Sequence, residues 1–386
     1  MRVFIPLLLL LFVACTKPEE STVIADTLKK EKPNRIVLIF HKPVLNGFYT
    51  LPGGSGQSTG RTNDGDEIQY IDDDLIPQRS FLHPDQQWDT LTLHTQRDWM
   101  EVKLMYHGID DLAYFFENGD SVVFKYDGER PVASVLNRQE AYDVTNYSLM
   151  VRDSLSIDIF PAMKIAYTPF AVMHRMKETD DFGKYMDKVH TTALANMAKE
   201  LDGQYETLEQ FRSTRLITDE QLQYRLRNIY YGLQHMAVNG RRNPERSKVA
   251  LIDREIDKLV ERFPGMSTER SDSLLVQMNY LKYLHNSIAM KYNKEVGMLE
   301  RNGKGAGARI PDLLKKYDVV RLDSQLTAAE LKTIQFGNVS QILENTSFFS
   351  IEQRLRYLNR FKNDFQDTIM MQSLIAKYDV EFVIDE

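Results

Sequence analysis

The apolar residues of this chain change their period near Gln139, and that switch narrows the architectures open to it more than any other feature. Upstream, Arg35 to Phe40 (RIVLIF) is a short run rich in β-branched residues, while Leu91 to His94 and Met100 to Tyr106 alternate. Ser121 to Tyr126 (SVVFKY) follows the turn Glu117-Asn118-Gly119-Asp120. Successive strand residues face opposite sides, so a two-residue beat marks half-buried strands. Asn118-Gly119 and Asp127-Gly128 tolerate the positive φ of tight hairpins, which predicts antiparallel neighbours in a β-sandwich or a partly open barrel. The glycine-rich stretch Pro52 to Gly65 is too polar to be core.

Downstream the spacing becomes helical. Leu222, Leu226, Ile229, Leu233 and Ala237 form one stripe, Ile252, Ile256, Leu259 and Phe263 another. Leu274, Met278, Leu281, His285 and Ile288 make a third, and Ile351, Leu355, Leu358 and Phe365 a fourth. Thr218-x-x-Gln221, Thr327-x-x-Glu330 and Ser350-x-x-Gln353 each fit the capping box, in which two side chains satisfy orphan amides at a helix start. The expected fold is α+β: an N-terminal antiparallel β-rich domain at 34–138, then an all-α helical domain at 139–386 built of roughly half a dozen helices packed by those stripes. Gly303 to Gly307 reads as a linker, because its Gly-Lys pair lacks the upstream glycine and the following Ser or Thr of a phosphate loop.

The first residues carry an address. Arg2 precedes an apolar run from Ile5 to Val13, too short to span a bilayer as a mature helix. Phe12-Val13-Ala14-Cys15 resembles the bacterial lipobox, with Phe12 in place of the usual leucine. Residues 1–14 are thus expected to be a lipoprotein signal peptide, and Cys15, the single cysteine, the lipidation site. Acyl chains add about 0.8 kcal/mol for each buried methylene, and several together anchor stably. Residues 15–33 read as a flexible tether, and the resulting location is the outer membrane, facing the periplasm or the cell surface. The formal charge of −7, with lysines interspersed, lacks the clustered basic face that nucleic acid requires.

Catalytic signatures are sparse. The eight histidines form no H-x-H or H-E-x-x-H, and no serine occupies a G-x-S-x-G elbow. No cofactor or catalytic residue is implied. Asp64, Asp66, Asp72, Asp73 and Asp74 concentrate oxygen ligands of the type calcium prefers, without the ordered spacing of a calcium loop, so a solvated acidic loop is the favoured reading. Tyr70, Trp88, Trp99, Tyr106 and Phe115-Phe116 are read as core or cross-strand aromatics before a ligand groove. Asp-(Ser/Thr)-aliphatic recurs, placing Thr27, Thr90, Ser121, Ser154, Ser273 and Thr368 in a pattern that resembles the O-glycosylation motif of exported Bacteroidota proteins.

Leu112 to Tyr126 (LAYFFENGDSVVFKY), followed by Pro131 to Arg138 (PVASVLNR), is similar to the front part of Bacteroidota lipoproteins that end in a TlpA-type thioredoxin domain. The shared elements are a Tyr-x-Phe-x-x-Gly-Asp run, a short strand and a Val-Leu-Asn-Arg step into helices. The resemblance covers about residues 90–170 and extends to the helices by architecture only. No Cys-x-x-Cys is present, so the family's catalytic residues map onto nothing here. It implies a non-enzymatic, envelope-anchored interaction module with an envelope protein as partner. The alternatives are an accessory partner of a separate thiol–disulfide or peptide-handling protein, and a hydrolase whose residues converge only in three dimensions.

Overall fold

The computed structural model describes residues 34–42, 48–50, 59–61, 66–83, 86–106, 110–126, 131–139, 142–146, 181–241, 249–300 and 309–378. The strands in chain order are β1 (Arg35–His41), β2 (Phe48–Thr50), β3 (Thr59–Arg61), β4 (Glu67–Ile71), β5 (Pro77–Phe81), β6 (Trp88–His94), β7 (Trp99–Tyr106), β8 (Asp110–Glu117), β9 (Ser121–Lys125) and β10 (Val132–Val135). One sheet has the order β10-β9-β1-β6 and a second the order β5-β4-β7-β8, while β2 and β3 pair only with each other. A single core joins both sheets. Ile36, Leu38, Phe40, Val122 and Phe124 of the first meet Ile68, Val102, Leu104, Tyr114 and Phe116 of the second. Of the two architectures expected, the β region is therefore the sandwich.

The sheets are antiparallel-rich as expected, with one parallel pair, and one hairpin expectation is corrected. Pairing is not wholly antiparallel, because β1 runs parallel to β9 while pairing antiparallel with β6. The Asn118-Gly119 turn does not join hairpin neighbours either: β8 belongs to the second sheet and β9 to the first. Gly119, at φ 99°, supplies a backbone that side chains resist, and the chain uses it to cross from one sheet to the other. Asp127-Gly128 does lie between antiparallel partners, β9 and β10.

The corner is locked by residues of the segment 114–138. Asp120, only 2% exposed, accepts the Glu117 amide (2.8 Å) and both arms of Arg138 (2.7 and 2.9 Å). Asn137 accepts the Ser121 amide (2.9 Å) and donates to the Gly119 carbonyl (2.7 Å). The Tyr114 hydroxyl donates to the Pro131 carbonyl (3.0 Å). A buried carboxylate with a bidentate guanidinium is costly to break, about 3–5 kcal/mol when one partner is removed.

The helices follow as α1 (Tyr142–Thr145), α2 (Asp181–Ser213), α3 (Asp219–Arg241), α4 (Val249–Arg262), α5 (Met278–Lys291), α6 (Asn293–Val296), α7 (Leu313–Val320), α8 (Ala328–Glu344), α9 (Ile351–Phe365) and α10 (Thr368–Tyr378), with a 3-10 turn at Asp272–Val276. The chain is thus α+β, a β region and then a helical one. All three capping boxes form, at Thr218/Gln221, Thr327/Glu330 and Ser350/Gln353. The helical part is not purely helical. A ribbon of β11 (Met298–Glu300) and β12 (Arg309–Pro311) sets Leu299 and Ile310 against the core of α7 to α10. The glycine stretch 303–307 connects these two strands and lies outside the described residues.

Candidate functional site

The second sheet is covered on its far side by helices, and that junction buries an ion pair with its hydrogen-bond partners. Inward residues of β7 are Met100, Val102 and Leu104, so Trp99, Glu101 and Lys103 face the helices. Glu101 and Lys103 are 1% and 4% exposed at their side chains, with Lys103 Nζ 3.9 Å from Glu101 Oε1. Glu101 Oε2 accepts the Tyr224 hydroxyl (2.8 Å), and Oε1 accepts Nδ2 of Asn228 (3.0 Å), one helical turn further along α3. Lys103 donates to Asn279 Oδ1 (3.1 Å), and Asn279 Nδ2 donates to the Asn228 carbonyl (3.1 Å). Burial first, and the Glu101 charge second, push the Tyr224 phenol well above its ordinary range, so its O–H remains a donor.

Aromatic rings frame this polar layer. Tyr224 meets Trp99 edge-on at 4.3 Å between centroids and Phe115 at 5.5 Å. The Arg225 guanidinium lies 4.6 Å over the Phe115 ring. Beside them a small cleft, open to solvent, is bounded by Trp99, Phe115, Arg138, Val144, Gln221 and Arg225. Its charged walls have partners: Arg138 is held by Asp120, with Glu117 3.8 Å away. Paired charges of this type hold surfaces in register.

Apart from Trp99 and Phe115, the residues singled out in the sequence fall elsewhere. Asp72 shapes the β4–β5 turn, accepting the amides of Asp74 (3.0 Å) and Ile76 (2.8 Å) on one oxygen and Gln78 (2.7 Å) on the other. Asp73 binds the β6–β7 connection through Thr95 (2.8 Å), the Gln96 amide (2.6 Å) and Arg97 (2.9 Å). Burial pushes the Asp73 carboxyl up, but these donors outweigh it and hold the group below the usual carboxylate range. Asp66 is buried at the head of β4, and Asp64 lies outside the described residues. Among the described residues no three His, Cys, Asp or Glu side chains converge as a metal site requires. Asp72 and Asp73 thus build turns, because their oxygens already accept amide and guanidinium donors.

Thr90, Ser273 and Thr368 are exposed and Ser121 is half-buried. Their aspartates have structural work. Asp272 accepts the Thr327 hydroxyl (2.6 Å), and Asp367 caps α10 at the Met370 amide (3.0 Å) while accepting Lys332 (2.7 Å). Cys15, Thr27 and Ser154 lie outside the described residues, as does the side chain of Tyr106. Phe116 is core, Trp99 and Phe115 belong to the junction, and Trp88 is exposed on the other sheet.

Glu101, Lys103, Tyr224 and Asn228 carried no sequence signal of their own. An alternating strand and an amphipathic helix look the same whether or not they meet. No protein-family model matches the chain, no curated protein is similar to it, and no solved structure resembles it. No described helix is long and apolar enough to cross a membrane.

Proposed function

We propose that this protein is a lipid-anchored lipoprotein of the cell envelope that acts by binding and not by catalysis. The anchor rests on the apolar run that ends in Val13-Ala14-Cys15. The binding role rests on one observation above all: both oxygens of Glu101 are occupied by neutral donors, with Lys103 beside them, beneath a layer of helices. A general base needs an accessible lone pair near its substrate, and this carboxylate is buried beneath Tyr224 and Asn228.

The similarity of 112–138 to the front of TlpA-type lipoproteins suggests a separate thiol–disulfide protein as one partner to test. In that segment Gly119, Asp120, Asn137 and Arg138 close the sandwich corner. A thiol–disulfide exchanger attacks with one thiolate and resolves with a second. A chain with one cysteine, consumed as a thioether, should neither reduce insulin disulfides nor speed refolding of a scrambled protein. The direct test of the non-catalytic reading is a panel of ester, peptide and glycoside substrates with the purified protein and with Glu101→Gln. Turnover that disappears in the variant, with the fold intact, would establish the hydrolase instead.

A further inference from the structure

The outer face of the first sheet differs in chemistry from the rest of the molecule. Ile36, Leu38 and Phe40 point into the sandwich, so the alternate residues of β1 point away from it. Strand register carries that alternation sideways. Trp88, His41 and Lys125 share one row, Thr90, Ile39 and Val123 the next, and Thr92, Val37 and Ser121 the third. Arg35 and His94 close the end. Trp88 is 56% exposed and stacks on the His41 ring at 4.1 Å. No carboxylate stands in any of these rows, in a chain whose formal charge is −7. The cationic side chains Arg35 and Lys125 are both exposed, one at each end of the face. Among the described residues α3 and α5 lie against the other sheet, α1 touches β10 at the edge of this one, and no strong contact from outside the sheet reaches β1, β6 or β9.

We propose that this face docks onto the anionic phosphate headgroups of the membrane in which the protein is anchored, a step that rests on the lipid-anchor reading above. Charge complementarity carries it. A basic and neutral surface in an acidic protein avoids the repulsion that the rest of the molecule would meet at anionic lipid. Indole rings favour the headgroup layer, where an apolar body and a polar N–H are both satisfied, and Trp88 presents such a ring. Each basic side chain held at an anionic surface strengthens association roughly five-fold, and Arg35 and Lys125 supply two. Position agrees. Arg35 opens the first strand about 20 residues after Cys15. The opposite side of the molecule, with its helices, would then face away from the lipid.

The test uses the acylated full chain in vesicles of phosphatidylcholine alone, or of phosphatidylcholine mixed with phosphatidylglycerol, each with and without brominated acyl chains. Comparison with Trp88→Phe separates the emission of Trp88 from that of Trp99. Docking predicts that bromolipid quenches Trp88 in the anionic vesicles only. Arg35→Glu combined with Lys125→Glu should remove that quenching without changing the melting temperature. An anchored protein whose Trp88 stays unquenched in anionic vesicles overturns the docking and leaves the anchor standing. A protein that is never acylated overturns the anchor, and salt-sensitive flotation of the same chain with anionic vesicles then decides the docking by itself. Shielding of Trp88 that follows protein concentration and ignores lipid charge assigns the face to a second copy of the chain and overturns the proposal.

Discussion

At the scale of single residues, His285 and Gly337 show how closely the helical region is packed. A Cβ on Gly337 of α8 would lie 2.9 Å from the His285 ring, closer than packed atoms tolerate. Glycine inside a helix normally costs about 1 kcal/mol relative to alanine, so only the imidazole justifies it there. Gly337→Ala should therefore destabilise the wild type by about 1–3 kcal/mol. In a His285→Ala background it should instead stabilise, by up to about 1 kcal/mol. A double-mutant cycle read by urea denaturation checks the change of sign.

The same imidazole gives the fold an acid sensitivity. Burial, with the Lys316 ammonium adding to it, lowers the His285 pKa to about 4 from an ordinary 6.5. Between those values the unfolded chain binds more protons than the folded one. The contribution of His285 to stability is complete above pH 6.5 and is lost as pH falls through 4. His285→Gln should flatten the acid slope of the unfolding free energy over that window, by at most about 1.4 kcal/mol per pH unit. Identical slopes in the two proteins would contradict the assignment.

At the scale of elements, two helix starts that look alike in sequence should differ in worth. Ser350 and Gln353 form a capping box near solvent, and Ser350→Ala should cost about 1 kcal/mol. In the box of α8, Glu330 is fully buried and also receives Arg270 on both oxygens and the Tyr280 hydroxyl. Its loss strands Arg270 and Tyr280 as well as the cap, so Glu330→Ala should cost about 3–5 kcal/mol. Parallel chemical denaturation of the two variants separates them, and equal losses would show that the Arg270 pair contributes nothing.

These caps were legible because a capping box is local: both partners lie within four residues of sequence. Strand and helix periods were legible for the same reason. What the sequence withheld was every decision made by a distant partner. Asn118-Gly119 has hairpin composition, yet whether β8 and β9 pair depends on β1, some 80 residues upstream, which takes β9 into its own sheet. Glu101 and Lys103 fall on what alternation marks as the wet face of a strand. They are dry because α3 and the segment around Asn279 close over them. The acidic run at 72–74 reads in sequence as a solvated loop, yet Asp72 and Asp73 are tied down by amide and guanidinium donors, one of them 24 residues away.

At the scale of the whole molecule, the layers are arranged with a purpose that the anchor would explain. The sandwich shares its second sheet with the helices through paired, buried charge, and the outer rows of its other sheet, from Trp88–His41–Lys125 to Thr92–Val37–Ser121, carry no carboxylate. The account depends on Cys15 being a lipid attachment point. Metabolic labelling with a fatty acid, followed by membrane fractionation of cells expressing wild type or Cys15→Ala, tests that most directly. The account predicts label and membrane association in the wild type and loss of both in the variant; a variant that still takes up label and sediments with membranes would contradict it.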